Sequence, residues 1–170
     1  MPNLRDDLER CLRGRVCMVG VGNPDRGDDG FGLRLAETLR DLGYPDVILA
    51  ERAPERWMEP LTRSGFQTVL FLDAVDMGAA PGSAALLEAT EISARYPQIS
   101  THKLSLGTLA RLIEADGRTR VLVLGVQPVA VRQVGGLSER VQTSLQILRD
   151  LLAETLGVHA NALAVCGGRP

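Results

Sequence analysis

Aromatic side chains are scarce in this chain, at 4% of 170 residues against 45% hydrophobic overall. A core so poor in aromatics has to be built from Val, Leu, Ile and Ala, as is usual where helices cover a parallel sheet. Cysteine is scarce too. Cys11, Cys17 and Cys166 are odd in number and show no Cys-x-x-Cys spacing, which points to neither a disulfide framework nor a zinc–thiolate site; Cys17, inside an apolar run, reads as a small core residue. Charge of one sign is missing: a net charge of -2 and a pI near 5.7 give no general attraction to phosphate backbones or anionic lipids, so nucleic acid is not an expected partner. No uninterrupted apolar run reaches membrane-span length, and Met1 to Asp7 carries no basic region leading into an apolar core. The expectation is a soluble cytoplasmic protein without a membrane partner. Gly-x-Ser-x-Gly and Gly-Lys-Ser/Thr are absent as well, so neither a nucleophile elbow nor a P-loop is present.

What is there reads as one domain over residues 1–170. An amphipathic helix lies within 1–14, carrying Leu4, Leu8, Cys11 and Leu12 at helical spacing, and a loose tail covers 158–170. Apolar runs at Val16–Val21, Val47–Ala50, Thr68–Leu72 and Val121–Val126 read as strands, with Ser83–Glu88 as an edge strand and Val129–Val131 extending the sheet. Between them, Phe31, Leu35, Leu39 and Leu42 mark one helix face, with Arg34, Glu37 and Arg40 towards water. Leu106, Leu109, Leu112 and Ile113 mark a second, and Val141, Leu145, Leu148, Leu152 and Leu156 a third that Gly157 ends. The segment from Glu51 to Pro60 is a charged loop leading into a short helix. This alternation predicts an α/β fold, a three-layer α/β/α sandwich with a mostly parallel twisted sheet of about five strands. In such a sheet, function gathers beyond the carboxyl ends of the strands.

At that edge stands Val19 to Gly32, a strand-to-helix loop holding Asp25, Asp28 and Asp29 among its glycines. A phosphate cradle fits poorly, because the position of a third fingerprint glycine is Asp25 and the acids would repel phosphate. A magnesium phosphoacceptor fits poorly too, because Val121–Val126 closes on Gln127-Pro128 with no lysine. A transition-metal site remains: one of Asp28 or Asp29, then Asp73 at a strand's carboxyl end, then His102, one of two histidines in the chain. Adding an imidazole to carboxylates moves preference towards nickel or zinc, and three protein ligands leave a position open for chemistry. Each group also has a structural reading. Asp28 can cap the helix that starts near Gly30, Asp73 can accept loop amides, and His102 can be a polar residue at a helix entrance.

These residues resemble a known family, the nickel-iron hydrogenase maturation endopeptidases. Gly20-Val21-Gly22-Asn23 followed by Gly27-Asp28-Asp29-Gly30-Phe31-Gly32 looks like the family's opening signature. Leu72 to Gly78 resembles its second motif, Ser100-Thr101-His102-Lys103 its third, and Gly125-Val126-Gln127-Pro128 a marker of the formate-linked branch. The resemblance implies a protease, of aspartyl type by the family's label, that removes a C-terminal extension from the hydrogenase large-subunit precursor after nickel insertion. It implies Asp29, Asp73 and His102 as the catalytic and metal-engaging residues. Nickel would be presented by the precursor, with no organic cofactor, and the protein is expected to act as a monomer. Two departures stand out. Relatives often carry Glu where this chain has Asp29, and an acid that opens a glycine-rich loop after strand two does not align, which leaves Glu51 or Asp28 as general base. A nickel-sensing chaperone that does not cut, and a self-contained metal-dependent hydrolase, are the rival readings.

Overall fold

The computed structural model describes residues 3–88, 90–92, 105–130 and 134–158. Strands β1 (Val16–Val21) and β3 (Thr68–Ala74) are buried along their whole length, which explains why they read as continuous apolar runs rather than alternating ones. With β2 (Val47–Glu51), β4 (Ala84–Glu88) and β5 (Arg120–Val126) they form one five-stranded sheet in the order β2-β1-β3-β5-β4. The pairs β1–β2, β1–β3 and β3–β5 are parallel, and only the edge strand β4 runs antiparallel.

Side-chain alternation divides the sheet into two faces. Met18, Leu70, Leu72, Leu122 and Leu124 pack beneath α1 (Leu4–Cys11), α2 (Phe31–Asp41) and α5 (Glu139–Thr155). On the other face, Cys17, Val19, Val69, Phe71, Val121 and Val123 meet α3 (Met58–Arg63) and α4 (Leu106–Glu114). Helices on both faces give the expected three layers. The amphipathic segment at the start of the chain is α1, capped by Asn3, whose side chain accepts from the Arg5 amide, and it buries Leu8 and Cys11. No helix among the described residues is long and apolar enough to cross a membrane.

Some expectations need correction. Val129 and Ala130 do not extend the sheet, because β5 ends at Val126 and the chain bends at Val129; Val131 lies outside the described residues. Leu112 belongs to the apolar spacing of α4 but stays 52% exposed, since α4 buries Leu106, Leu109, Ala110 and Ile113 instead. Arg34 does not simply face water: its guanidinium turns back along the helix start, donates to the Pro24 carbonyl and keeps Nε buried.

Two glycines explain how the sheet and α2 come so close. At Gly32, the first turn of α2 lies so near the sheet that a Cβ would sit 1.8 Å from the Leu72 carbonyl oxygen and 2.6 Å from that of Val21. At Gly22, with φ 126°, a Cβ would meet the Asp29 carbonyl oxygen at 1.8 Å. Both positions need a residue with no side chain. The helix is thereby pressed onto the strand ends, and the acidic loop cannot swing away from them.

Candidate active site

The loop between β1 and α2 is built by its own backbone. The Asn23 side chain accepts from the Asp25 amide at 3.0 Å, the Asn23 carbonyl from the Arg26 amide at 3.1 Å, and the Arg26 carbonyl from the Asp29 amide at 3.2 Å. These turns run into a 3₁₀ helix at Gly27–Gly30, so adjacent carboxylates leave the chain in different directions. Asp25 is exposed, whereas Asp28 and Asp29 are buried.

Asp28 does not cap the helix after it, as neither Gly27–Gly30 nor α2 has a side-chain cap. It points instead across the molecule to the segment after β5. Its Oδ2 accepts from the Val129 amide at 2.8 Å, the Ala130 amide at 3.4 Å and the Ser138 hydroxyl at 2.9 Å, and its Oδ1 accepts from the Ser138 amide at 2.7 Å. Ser138 sits at the N-cap of α5, yet its hydroxyl goes to Asp28 and not to the helix. With its oxygens occupied by four donors, Asp28 has little capacity left to take a proton from water. Next to it, Gly27 donates to the Gly135 carbonyl at 3.2 Å, closing a second strap between the same segments.

Asp29 turns the other way, towards the sheet, and its Oδ2 accepts from the Asn23 amide at 3.1 Å. Asp73 lies at the penultimate position of β3, on the face of Val69 and Phe71 that α4 covers, and is 6% exposed. Burial, then the nearby charge of Asp29, push the Asp73 carboxyl up to about 8, against a smaller opposing effect of the Ala74 amide, which donates to its Oδ1 at 2.9 Å. The sheet edge thus brings two of the anticipated acids into electrostatic contact. Near neutral pH this environment favours the protonated form of Asp73.

The loop after Asp73 is fixed by Gln127. Its Oε1 accepts from the Met77 amide at 2.7 Å and the Ala79 amide at 3.2 Å, and its Nε2 donates to Asp76 Oδ1 at 3.1 Å. Sequence reading places Gln127 at a turn and in the Gly125–Pro128 marker, without naming its partners. The signal available for its role was an amide side chain directly after a fully apolar strand, where a buried polar group needs partners.

His102, the third anticipated ligand, lies outside the described residues, as does the rest of Ser100–Lys103. Helix α4 begins just beyond, with Ser105 as N-cap accepting from the Thr108 amide at 3.2 Å. Among the described residues no three His, Cys, Asp or Glu side chains come together as a metal cluster, and Asp28 is committed to the segment after β5. Glu51, the other candidate base, is exposed at the end of β2 with φ 51°, and its carbonyl accepts from the Gly22 amide at 2.9 Å. A register shift opposite Gly20 and Val21 produces this bend.

Comparison with known proteins bears on this geometry. A family model described as hydrogenase maturation protease matches residues 34–154. The hydrogenase 3 maturation protease of Escherichia coli K12 is 33% identical over 113 residues, covering 65% of this chain and 71% of that protein. The crystal structure of a [NiFe] hydrogenase maturation protease, HycI, from Thermococcus kodakarensis KOD1 superimposes with a TM-score of 0.78 at 29% identity, over 89% of this chain and 99% of that one. The solution structure of the endopeptidase HycI from Escherichia coli gives a TM-score of 0.71 at 26% identity, over 81% and 88% of the two chains.

Proposed function

We propose that this chain, which belongs to the hydrogenase maturation protease family, is the endopeptidase that trims the C-terminal extension of a nickel-iron hydrogenase large-subunit precursor, with bound nickel as the feature it recognises. The observation that carries the nickel part of this reading is the Asp29–Asp73 pair. Two carboxylates are buried at the carboxyl edge of a parallel sheet, and burial, then the charge of Asp29, makes ionisation of Asp73 unfavourable. A divalent cation delivered by the substrate relieves the repulsion between them and displaces the Asp73 proton. His102 completes the set. It lies outside the described residues and is taken as the third ligand from the family resemblance.

In this reading nickel belongs to the substrate, and the chain's own groups orient it. Asp29 and Asp73 grip the ion, the rigid loops hold the scissile peptide against it, and water is activated beside them. Glu51 is the stronger candidate for general base, since Asp28 is saturated by four hydrogen bonds. Precursor without nickel leaves the carboxylates nothing to bind, so specificity follows from differential affinity. Mass spectrometry of the precursor's C-terminus after incubation with purified protein tests the cutting step. A shortened chain plus a released peptide supports the protease, whereas intact precursor in a stable complex supports the chaperone. Cleavage of nickel-free precursor by protein that itself carries stoichiometric metal supports the self-contained hydrolase.

A further inference from the structure

The guanidinium of Arg34 is poorly satisfied for a half-buried charge. Among the described residues its single hydrogen bond runs from Nη2 to the Pro24 carbonyl at 3.3 Å, and its Nε is buried with no partner. Taking such a donor out of water without a partner is costly. Leucine or methionine in the first turn of α2 would fill the same space and leave no orphan donor. The cost points to a task that needs the one bond the guanidinium does make.

Gly30 shows how closely the parts meet. A Cβ there would lie 2.9 Å from Pro24 Cα, 3.3 Å from the Asn23 carbonyl oxygen and 3.5 Å from Arg34 Nε. The absent side chain lets the Asn23-Pro24 turn, the 3₁₀ helix and the start of α2 close on one another. Asn23 is otherwise tied within the loop, its side chain accepting from Asp25 and its carbonyl from Arg26. Among the described residues only Arg34 bonds this turn to α2, and the Pro24 carbonyl has no other partner. Helix α2 is itself a fixed reference, since Gly32 seats it against the Leu72 and Val21 carbonyls. At the other end of the turn, the Asn23 amide donates to Asp29 Oδ2 at 3.1 Å. A continuous line therefore runs from the seated helix through Arg34, Pro24 and Asn23 to the Asp29 carboxylate.

We propose that Arg34 is a positioning residue: anchored on α2, its guanidinium braces the Pro24 carbonyl and so sets where the Asn23 amide holds the Asp29 carboxylate for the metal carried by the precursor. The inference rests on the nickel reading given above. Arg34 touches neither the metal nor the scissile peptide and acts only through the backbone of the turn. Slack in the brace lets the carboxylate recede, and a misplacement of about 1 Å can cost on the order of a hundredfold in rate.

The test uses the full chain and joins a local readout on the free protein to cleavage of nickel-loaded precursor. R34M keeps an apolar stem and removes every donor. It is expected to speed hydrogen exchange at the Asn23 amide by about tenfold or more, while the interior amides of α2 keep their protection. Tm should change little, because one long bond and one orphan donor are lost together. On nickel-loaded precursor, kcat/KM should fall by about tenfold or more. R34K, which can still donate to the Pro24 carbonyl, should fall between wild type and R34M. D29E, whose carboxylate reaches one methylene farther, should lower activity in the wild-type background yet lower it less, or restore it, in R34M, so that the combined loss is smaller than the product of the two. Cleavage by R34M within about twofold of wild type overturns the proposal. So do unaltered Asn23 exchange, losses that simply multiply, or a drop in Tm large enough to explain the lost activity. Wild-type protein that cuts nickel-free precursor equally well rejects the nickel reading, and Asn23 exchange and cleavage that still depend on Arg34 keep the brace. Nickel-dependent cutting that is indifferent to Arg34 does the reverse.

Discussion

Asp28 and Ser138 stand 110 residues apart in sequence, yet the carboxylate of one accepts both the amide and the hydroxyl of the other, at 2.7 and 2.9 Å. The bond joins the acidic loop to the start of the last helix. It therefore fixes where Asp29 can point, since Asp29 is the next residue on the same tight turn. Asp28→Ala strips a buried carboxylate from four donors and should cost about 3 kcal/mol, read as a lower urea midpoint. Asp25→Ala, at an exposed position of the same loop, should change stability by less than about 0.5 kcal/mol. Equal effects would remove the distinction between the two acids.

Gly32→Ala places a methyl where the Leu72 carbonyl oxygen already lies. The first turn of α2 must then move off the strands, and a loss of roughly 3 kcal/mol or outright failure to fold is expected. Gly43, where a Cβ meets nothing within 4 Å although φ is 96°, should lose only about 1 kcal/mol on the same change. Thermal unfolding of the two variants makes the comparison.

Much of this architecture was legible in the sequence. The apolar runs located β1, β3 and β5 because buried parallel strands leave little ambiguity of period, the edge strands β2 and β4 were found as shorter runs bounded by turns, and Gly157 marked the end of the last helix, where it now has φ 66°. Asp73 was legible because it ends such a run. The partner of Asp28 was not, since hydrogen bonds between segments more than a hundred residues apart follow from tertiary packing and leave no local pattern. Tertiary packing likewise hid the partners of Gln127, which lie some 50 residues earlier. Leu112 misled because helical spacing tells which residues share a stripe but not how wide a stripe the sheet covers.

Stability should depend on pH through Asp73. Its carboxyl is raised from an ordinary 3.8 to about 8 in the folded protein, so the native state holds a proton that the unfolded chain has already released. The contribution is complete below about pH 4 and is lost as pH rises towards about 8, at up to roughly 1.4 kcal/mol per pH unit in that window. Asp73→Asn should flatten the slope, as seen by denaturant unfolding at a series of pH values. An unchanged slope in the variant would show that another group is responsible.

Gln127→Ala leaves the Met77 and Ala79 amides without their acceptor. The loop that follows Asp73 should loosen, with faster hydrogen exchange at those two amides, while β5 itself, buried on both faces, keeps its protection. A global loss of about 1–3 kcal/mol is expected. Exchange that accelerates uniformly, with no local excess at Met77 and Ala79, would contradict a positioning role.

The central claim is that Asp29, Asp73 and His102 read nickel carried by the precursor. Its most direct test is intact-mass analysis of precursor, with and without nickel, after incubation with wild-type protein and with folded Asp29→Asn and His102→Ala variants. The account predicts a shortened chain only where wild-type protein meets nickel-loaded precursor, with either substitution lowering the cleavage rate by at least about a hundredfold. Cleavage of nickel-free precursor at a comparable rate, or full activity in either variant, would contradict it.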